Sequence, residues 1–136
     1  MPPLNQQEKA WVQEWLNLAN HDLRAAGQMF QDDAALYGYL IAFICQQATE
    51  KFAKAALTVE GVNFPKTHDI TRLLVLFPPI FVFTQQEFDD AARISDYAVE
   101  VRYPGLTIVM SDLQEALRIA RHFRTRLLPG IQAALV

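Results

Sequence analysis

Residues 37–69 read YGYLIAFICQQATEKFAKAALTVEGVNFPKTHD and combine a helical apolar pattern with a compact polar cluster. Apolar side chains recur at steps of three and four residues, and this period predicts an amphipathic helix over about residues 34–60. The predicted core stripe consists of Tyr37, Leu40, Ile41, Ile44, Ala48, Phe52, Ala55 and Val59. Asp32 or Asp33 would cap this helix, and Gly61 would end it. We expect the other helices to pack around it.

Four further helices are predicted on either side of this stretch. They cover about residues 6–30, 69–77, 85–102 and 112–128, with caps at Asn5, Thr67, Thr84 and Ser111. In the first helix, Trp11, Trp15 and Leu18 would widen the apolar stripe, and Pro129 and Gly130 would end the last helix. No stretch shows strand alternation. The predicted fold class is therefore all-α, an antiparallel up-and-down bundle of four long helices and one short helix in a single domain over residues 1–136.

Composition and charge limit the classes of function. The 136 residues are 51% hydrophobic and 20% charged, which is typical of a globular domain. The net charge of −3 gives no overall attraction to nucleic acid. Cys45 is the only cysteine, so no disulfide can form within the chain and a reducing compartment is favoured. Residues 1–11 do not resemble a signal peptide, and the uncharged run near residues 73–83 is too short to span a bilayer. We expect a cytoplasmic protein.

Motifs for metal or phosphate chemistry are missing from the sequence. It contains no glycine-rich phosphate loop, no Cys/His metal spacing and no paired-histidine helix motif, so we expect no metal site. Cys45 lies beside the core stripe and is expected to be buried and inert. His21 and His122 lie on solvated helix faces. The last predicted helix carries Arg118, Arg121, Arg124 and Arg126. Such a run is more often a solvated helix face than a phosphate-binding surface.

The first polar cluster combines one helix edge with the turn that follows the helix. The edge carries Gln46, Gln47, Glu50, Lys51 and Lys54, and the turn is KTHD at residues 66–69. Gln47, Lys51 and Lys54 lie on one helical face, which could receive a phosphate or an acidic partner. Alternatively, Glu50 and Lys54 form a surface ion pair and the turn is only a helix cap. The spacing alone favours this second interpretation.

The second polar cluster is Arg102-Tyr103-Pro104 at the end of the fourth predicted helix. Arg102 follows Val101 and therefore lies at the edge of the buried face, and Pro104 ends the helix just after it. The guanidinium could pair with a carboxylate across the bundle, such as that of Glu50, or bind a phosphate. The spacing does not decide between these two interpretations.

These pieces together resemble the HEPN domain family (higher eukaryotes and prokaryotes nucleotide-binding domain), a small helical domain often found beside minimal nucleotidyltransferases in prokaryotes. The similar segments are ANHDLRAA at residues 19–26, FICQQATEK at residues 43–51, KAAL at residues 54–57, KTHD at residues 66–69 and RYP at residues 102–104. They follow the family order along nearly the whole chain. The segment with two glutamines and the THD turn are the more specific parts, whereas RYP alone is weak.

The resemblance implies a four- to five-helix bundle that is usually a homodimer. Ribonucleases of the family carry an arginine followed four to six residues later by a histidine, and two copies of this motif meet across the dimer. Arg102 fits the arginine, but residues 103–109 contain no histidine. A histidine would serve as the acid or base of metal-independent RNA cleavage. The resemblance therefore implies a non-catalytic member of the type with the RYP sequence, without a catalytic residue.

Three functions remain open from the sequence. The first is a non-catalytic module that binds a nucleotide such as ATP, a minimal nucleotidyltransferase partner, or both, in a toxin–antitoxin-like context. Its candidate ligand contacts are Gln47, Glu50, Lys51, Lys54, His68 and Arg102. The second is a divergent ribonuclease toxin that uses His68 as a relocated histidine. The third is a structural homodimer with no small ligand, formed through the apolar loop at residues 77–83 or the apolar tail.

Overall fold

A computed structural model of the chain describes residues 3–100 and 108–136, except for the side chains of residues 99 and 100. These residues contain four helices: α1 (Gln6–Val59), α2 (Ile70–Leu74), α3 (Gln85–Glu100) and α4 (Met110–Ala134). No strand occurs in this part of the chain. The fold is an all-α bundle, as the sequence predicts.

The long helix α1 is a hairpin of two segments, residues 6–32 and 34–59. Asp33 has extended backbone angles (φ −165°, ψ 85°), and its carboxylate accepts the backbone N–H of Leu36 at 3.0 Å, which caps the second segment. Lys51 forms an ion pair with Asp22, 29 residues earlier. A straight helix would hold these residues about 40 Å apart, so the two segments must run antiparallel. The predicted break between two helices is confirmed, with Asp33 as the cap.

One core joins all the helices. Its fully buried members include Val12, Ala19, Ala26, Ile41, Ala48, Phe52, Ile70, Ile94, Ala120 and Phe123. The many alanines let neighbouring helices approach closely, and the two segments of α1 and helix α4 share most of this core. The predicted stripes are largely confirmed. Three members are wrong, because Trp11, Leu18 and Leu40 are exposed. The first segment of α1 packs on one narrow side only, and Leu40 lies near the kink at Asp33, where the hairpin turns.

Two predicted helix starts differ from the structure. Helix α2 is capped by Asp69, whose carboxylate accepts the N–H of Thr71 at 3.0 Å, and not by Thr67. The Thr67 hydroxyl accepts the N–H of Asp69 at 3.1 Å and so stabilises the turn just before helix α2. Helix α4 starts at Met110, because the Asp112 carboxylate accepts the N–H of Val109 at 3.0 Å. The predicted cap at Ser111 is therefore wrong.

Helix α4 also continues beyond its predicted end. It runs through Pro129 to Ala134, although proline lacks the N–H of a helical hydrogen bond. Pro129 and Gly130 face solvent, whereas Ile131 is buried in the core. Burial of Ile131 thus favours the last turns more than the missing hydrogen bond disfavours them.

The connection between α2 and α3 folds back on the bundle through its aromatic residues. Phe77 is buried, and its ring centroid lies 5.0 Å from that of Phe81 and 5.1 Å from that of Phe83. Ile80 and Val82 point to solvent. The predicted capping box at Thr84 is confirmed, since its hydroxyl accepts the N–H of residue 87 at 3.0 Å, and helix α3 begins directly after it.

Candidate functional site

An ion pair between Glu50 and Lys54 is buried in the middle of the polar cluster. The two residues lie one turn apart on α1, and their Oε2 and Nζ atoms are 2.8 Å apart. Only 5% of Glu50 and 7% of Lys54 are exposed. The Lys54 ammonium also lies 5.7 Å from the ring centroids of both Trp15 and Phe64. The interpretation as a surface pair is therefore wrong, because aromatic side chains from two other stretches cover the lysine.

The other oxygen of Glu50 ties the KTHD turn to α1. Its Oε1 lies 2.8 Å from Nδ1 of His68 and accepts a hydrogen bond from the Gln46 amide at 3.2 Å. The Gln46 amide also donates to the backbone carbonyl of His68 at 2.8 Å, and Gln47 donates to the Gln46 oxygen at 2.7 Å. We call Gln46, Glu50, Lys54 and His68 the Glu50 network. It joins two stretches that no local pattern connects.

The charge on Glu50 determines the tautomer of His68. Burial alone would raise the pKa of Glu50, but hydrogen bonds from Lys54, His68 and Gln46 outweigh it, and the pKa lies below its usual value. An ionised carboxylate only accepts hydrogen bonds, so Nδ1 of His68 carries a proton. The Nε2 atom is then the free position of a ring whose side chain is 59% exposed. A carboxylate that orients an imidazole in this way is common at functional histidines.

Both ammonium groups on the predicted phosphate-binding face of α1 are paired. Lys51 donates to Asp22 on the first segment of α1, and Lys54 is buried against Glu50. Gln47 is half-buried and bonded to its neighbour Gln46. The structure thus brings Gln47, Glu50, Lys54 and His68 together and places Lys51 in a separate pair. Arg102 lies outside the described residues, and so does its predicted pairing with Glu50.

A second buried acidic pair, which the sequence reading missed, connects α3 with α4. Only 4% of Glu87 and 3% of Asp90 are exposed. Arg118 contacts both oxygens of Asp90 at 2.9 and 3.2 Å, and Glu87 contacts His122 at 3.0 Å and Arg126 at 3.3 Å. Burial would raise the pKa of each carboxyl, but hydrogen bonds and the nearby cations lower both.

A signal for this second pair is present in the sequence. Arg118, His122 and Arg126 recur at steps of four and so lie on one face of α4. They lie opposite Glu87 and Asp90, which are spaced three apart on α3. Arg118 and Arg126 are therefore neither simply solvated nor free for phosphate. His122 is exposed, as predicted, but it also contacts a buried carboxylate.

The comparison with known protein families agrees with this architecture. The HEPN domain model matches residues 12–129 of the chain. The chain belongs to the HEPN domain family. The fold is also similar to the crystal structure of TT1696 from Thermus thermophilus, with a TM-score of 0.72. The two sequences are 23% identical over 91% of this chain and 98% of that chain, a similarity that supports the fold alone. No curated protein matches the sequence.

Other groups of this HEPN domain bear on what the site can do. Cys45 is fully buried, and burial raises the pKa of its thiol to about 12, so the thiol stays protonated. Within residues 3–100 and 108–136, no three histidine, cysteine or carboxylate side chains are grouped to hold a metal ion. None of the four described helices is long and apolar enough to cross a membrane. Within the Glu50 network, His68 has the most exposed side chain, and its contact with Glu50 orients the imidazole ring.

Proposed function

We propose that this HEPN domain is a non-catalytic binding module and that its ligand surface is the exposed side of the Glu50 network. Glu50 holds the His68 ring in place at 2.8 Å while more than half of that side chain stays open to solvent. This fixed, exposed imidazole is the observation that carries the proposal. Lys66 precedes it by two residues and is also exposed. The ligand is a nucleotide such as ATP, a minimal nucleotidyltransferase, or both.

The lack of a histidine shortly after Arg102 supports the non-catalytic assignment. No histidine occurs among residues 103–109, where the ribonuclease motif would follow Arg102. The chain then has an arginine suited to phosphate but no general acid or base beside it in sequence. Binding needs only the hydrogen bonds of His68 and the positive charges of Lys66 and Arg102. Lys51 can join them if a ligand phosphate replaces its partner Asp22.

The biological setting is part of the same proposal. A HEPN module beside a minimal nucleotidyltransferase would act in a toxin–antitoxin-like pair in the cytoplasm. The buried and protonated thiol of Cys45 is compatible with a reducing compartment. We also propose that the domain is a homodimer, because exposed apolar side chains cluster near the Asp33 kink: Leu36, Tyr39 and Leu40.

Calorimetry and co-purification test the binding function. ATP and GTP are titrated into the protein, and a minimal nucleotidyltransferase from the same genome is co-expressed with it. We expect binding that His68→Ala weakens and that His21→Ala leaves unchanged, because His21 is exposed and belongs to neither buried network. The proposal is wrong if millimolar nucleotide gives neither heat nor thermal stabilisation and the nucleotidyltransferase does not co-purify.

A ribonuclease is the second candidate, because the contact between His68 and Glu50 resembles an oriented general base. In this reading His68 would take the proton of an RNA 2′-hydroxyl, and Arg102 would bind the phosphate. Purified protein is incubated with structured RNA beside Arg102→Ala and His68→Ala. Cleavage that both variants abolish supports the enzyme. Equal cleavage by all three proteins, or none by any, eliminates it.

A further inference from the structure

A cleft of about 670 Å³ lies between the first segment of α1 and helix α4. Nine residues line it, of which three are arginines and none is acidic. Arg24 comes from α1, and Arg121 and Arg124 come from α4. Asn20, Gln28 and Thr125 add neutral hydrogen-bonding groups to the wall. The cleft shares no residue with the Glu50 network.

The arginines of this cleft differ from the others on α4. Arg118 pairs with Asp90, and Arg126 pairs with Glu87. In contrast, Arg24 and Arg121 form no ion pair with any described carboxylate, and Arg124 donates only to the neutral amide oxygen of Asn20, at 2.9 Å. The whole chain carries a net charge of −3. Positive charge is therefore concentrated in one concave place on an otherwise acidic protein.

Gly27 helps to shape this cleft. A Cβ atom at this position would lie 3.3 Å from Nη2 of Arg121, closer than ordinary van der Waals contact. The missing side chain thus lets the guanidinium lie against the backbone of α1. A guanidinium held in this way presents a planar fork of donors, which matches the oxygens of a phosphate.

A smaller recess continues the cleft at one side. It has a volume of about 320 Å³, shares Gly27, Gln31 and Arg121 with the cleft, and adds the apolar side chains of Phe30 and Leu117 and the amide of Gln114. We propose that the arginine cleft binds a small ligand with two or more phosphate groups, whose organic part reaches toward Phe30. Each phosphate would take one or two guanidinium forks, and the amide and hydroxyl groups would bind the remaining oxygens. This site is independent of the proposed function at His68.

Titration with tripolyphosphate and with ATP tests the proposal. Backbone-amide spectra of the isotope-labelled protein should shift at Gly27 and Arg121, and calorimetry should show that Arg121→Gln weakens binding of both probes roughly tenfold. Arg72→Gln is the matched control, because Arg72 is equally charged and exposed but does not line the cleft. Arg24→Gln gives a second test that removes no described contact. We expect both cleft variants to keep the thermal midpoint of the wild type.

Several results would overturn the proposal. Equal weakening by Arg72→Gln would mean that only net charge matters. Spectral shifts confined to residues 66–69, with ATP binding lost in His68→Ala and kept in Arg121→Gln, would support the function proposed above and eliminate this site. A small polyphosphate ligand would be eliminated if neither tripolyphosphate nor ATP binds at millimolar concentration. It would also be eliminated if a short single-stranded RNA binds far more tightly and displaces both.

Discussion

His68 contacts Glu50 at 2.8 Å, although the two residues are 18 positions apart and His68 lies in the connection between α1 and α2. The same carboxylate neutralises the buried ammonium of Lys54 at 2.8 Å. Glu50 therefore does two things at once: it balances a charge inside the bundle and fixes the turn that carries the exposed imidazole. Stability and the geometry of the proposed site depend on one side chain.

Replacing Glu50 should destabilise the domain strongly. Glu50→Ala leaves the Lys54 ammonium buried without its counter-ion, a change that typically lowers the free energy of unfolding by about 3–5 kcal/mol. Urea denaturation of the purified protein measures this loss. Glu14→Ala is the control, because Glu14 is exposed and should change stability by less than about 0.5 kcal/mol.

A double variant separates the ion pair from other causes. Glu50→Leu with Lys54→Met removes both charges, and apolar replacement of a buried pair is often close to neutral in stability. We expect the double variant to recover most of the stability that Glu50→Ala loses. If it is no more stable than Glu50→Ala, the unpaired lysine is not the reason for the loss.

Acid should weaken the fold through three buried carboxylates. The pKa values of Glu50, Glu87 and Asp90 in the folded protein lie below the ordinary values of 4.5, 4.5 and 3.8. Between the folded and ordinary values the unfolded chain binds more protons, so the free energy of unfolding falls as the pH falls. The contribution is complete above the ordinary values and is lost as the pH drops through the folded pKa values.

Urea denaturation at a series of pH values from neutral to acidic measures this dependence. Glu87→Gln removes one of the three groups and should give a shallower loss of stability in acid than the wild type shows. A free energy of unfolding that stays constant or rises toward acid pH would contradict the assigned directions of the pKa shifts.

The sequence predicts well those features that local patterns determine. The break at Asp33, the capping boxes at Asn5 and Thr84, and most core positions follow from caps and helical periodicity within a few residues. The all-α fold follows from these elements because short connections between amphipathic helices leave few ways to bury their apolar faces. Family membership, which the resemblance implied from the QQATEK and KTHD segments, is confirmed by the match over residues 12–129.

Burial of the polar cluster could not be predicted in the same way. Glu50 and Lys54 lie on the polar edge of the helical pattern, which normally faces solvent. Trp15 and Phe64 cover Lys54 from stretches distant in sequence, and periodicity contains no information about such contacts. The extension of α4 through Pro129 has a similar cause, because long-range burial of Ile131 outweighs a local helix-breaking signal.

Gly27→Ala should increase stability and weaken the binding of polyphosphate. Alanine favours a helix over glycine by about 1 kcal/mol, and Gly27 lies inside α1. Its Cβ would push Nη2 of Arg121 outward by a few tenths of an ångström, which a flexible side chain tolerates easily but a bound phosphate does not. Urea denaturation measures the first effect, and calorimetry with tripolyphosphate measures the second.

Gly130→Ala is the matched control for this pair of effects. Gly130 lies inside α4, and no atom lies within 4 Å of the position of its Cβ. The substitution should give a similar gain in stability and leave tripolyphosphate binding unchanged. If Gly27→Ala binds tripolyphosphate as tightly as the wild type does, the position of Arg121 does not matter for the ligand.

The proposed homodimer should dissociate when a charge enters the apolar surface near the kink. Leu36 and Leu40 are 70% and 46% exposed, and Val109 and Met110 at the start of α4 are also exposed. The two stretches are adjacent, because a Cβ on Gly38 would lie 3.8 Å from the Leu113 side chain. Contiguous exposed apolar side chains of this kind typically mark an interface.

Sedimentation at micromolar concentration distinguishes this surface from the loop between α2 and α3. Leu40→Glu should give a monomer, because burying an unpaired carboxylate in an apolar interface costs more than the interface can supply. Ile80→Glu should stay dimeric, although Ile80 is 85% exposed and equally apolar. Dissociation by Ile80→Glu alone would assign the interface to the loop instead. A monomeric wild type would eliminate the homodimer, and the exposed side chains near the kink would then be available to a different protein, such as a nucleotidyltransferase.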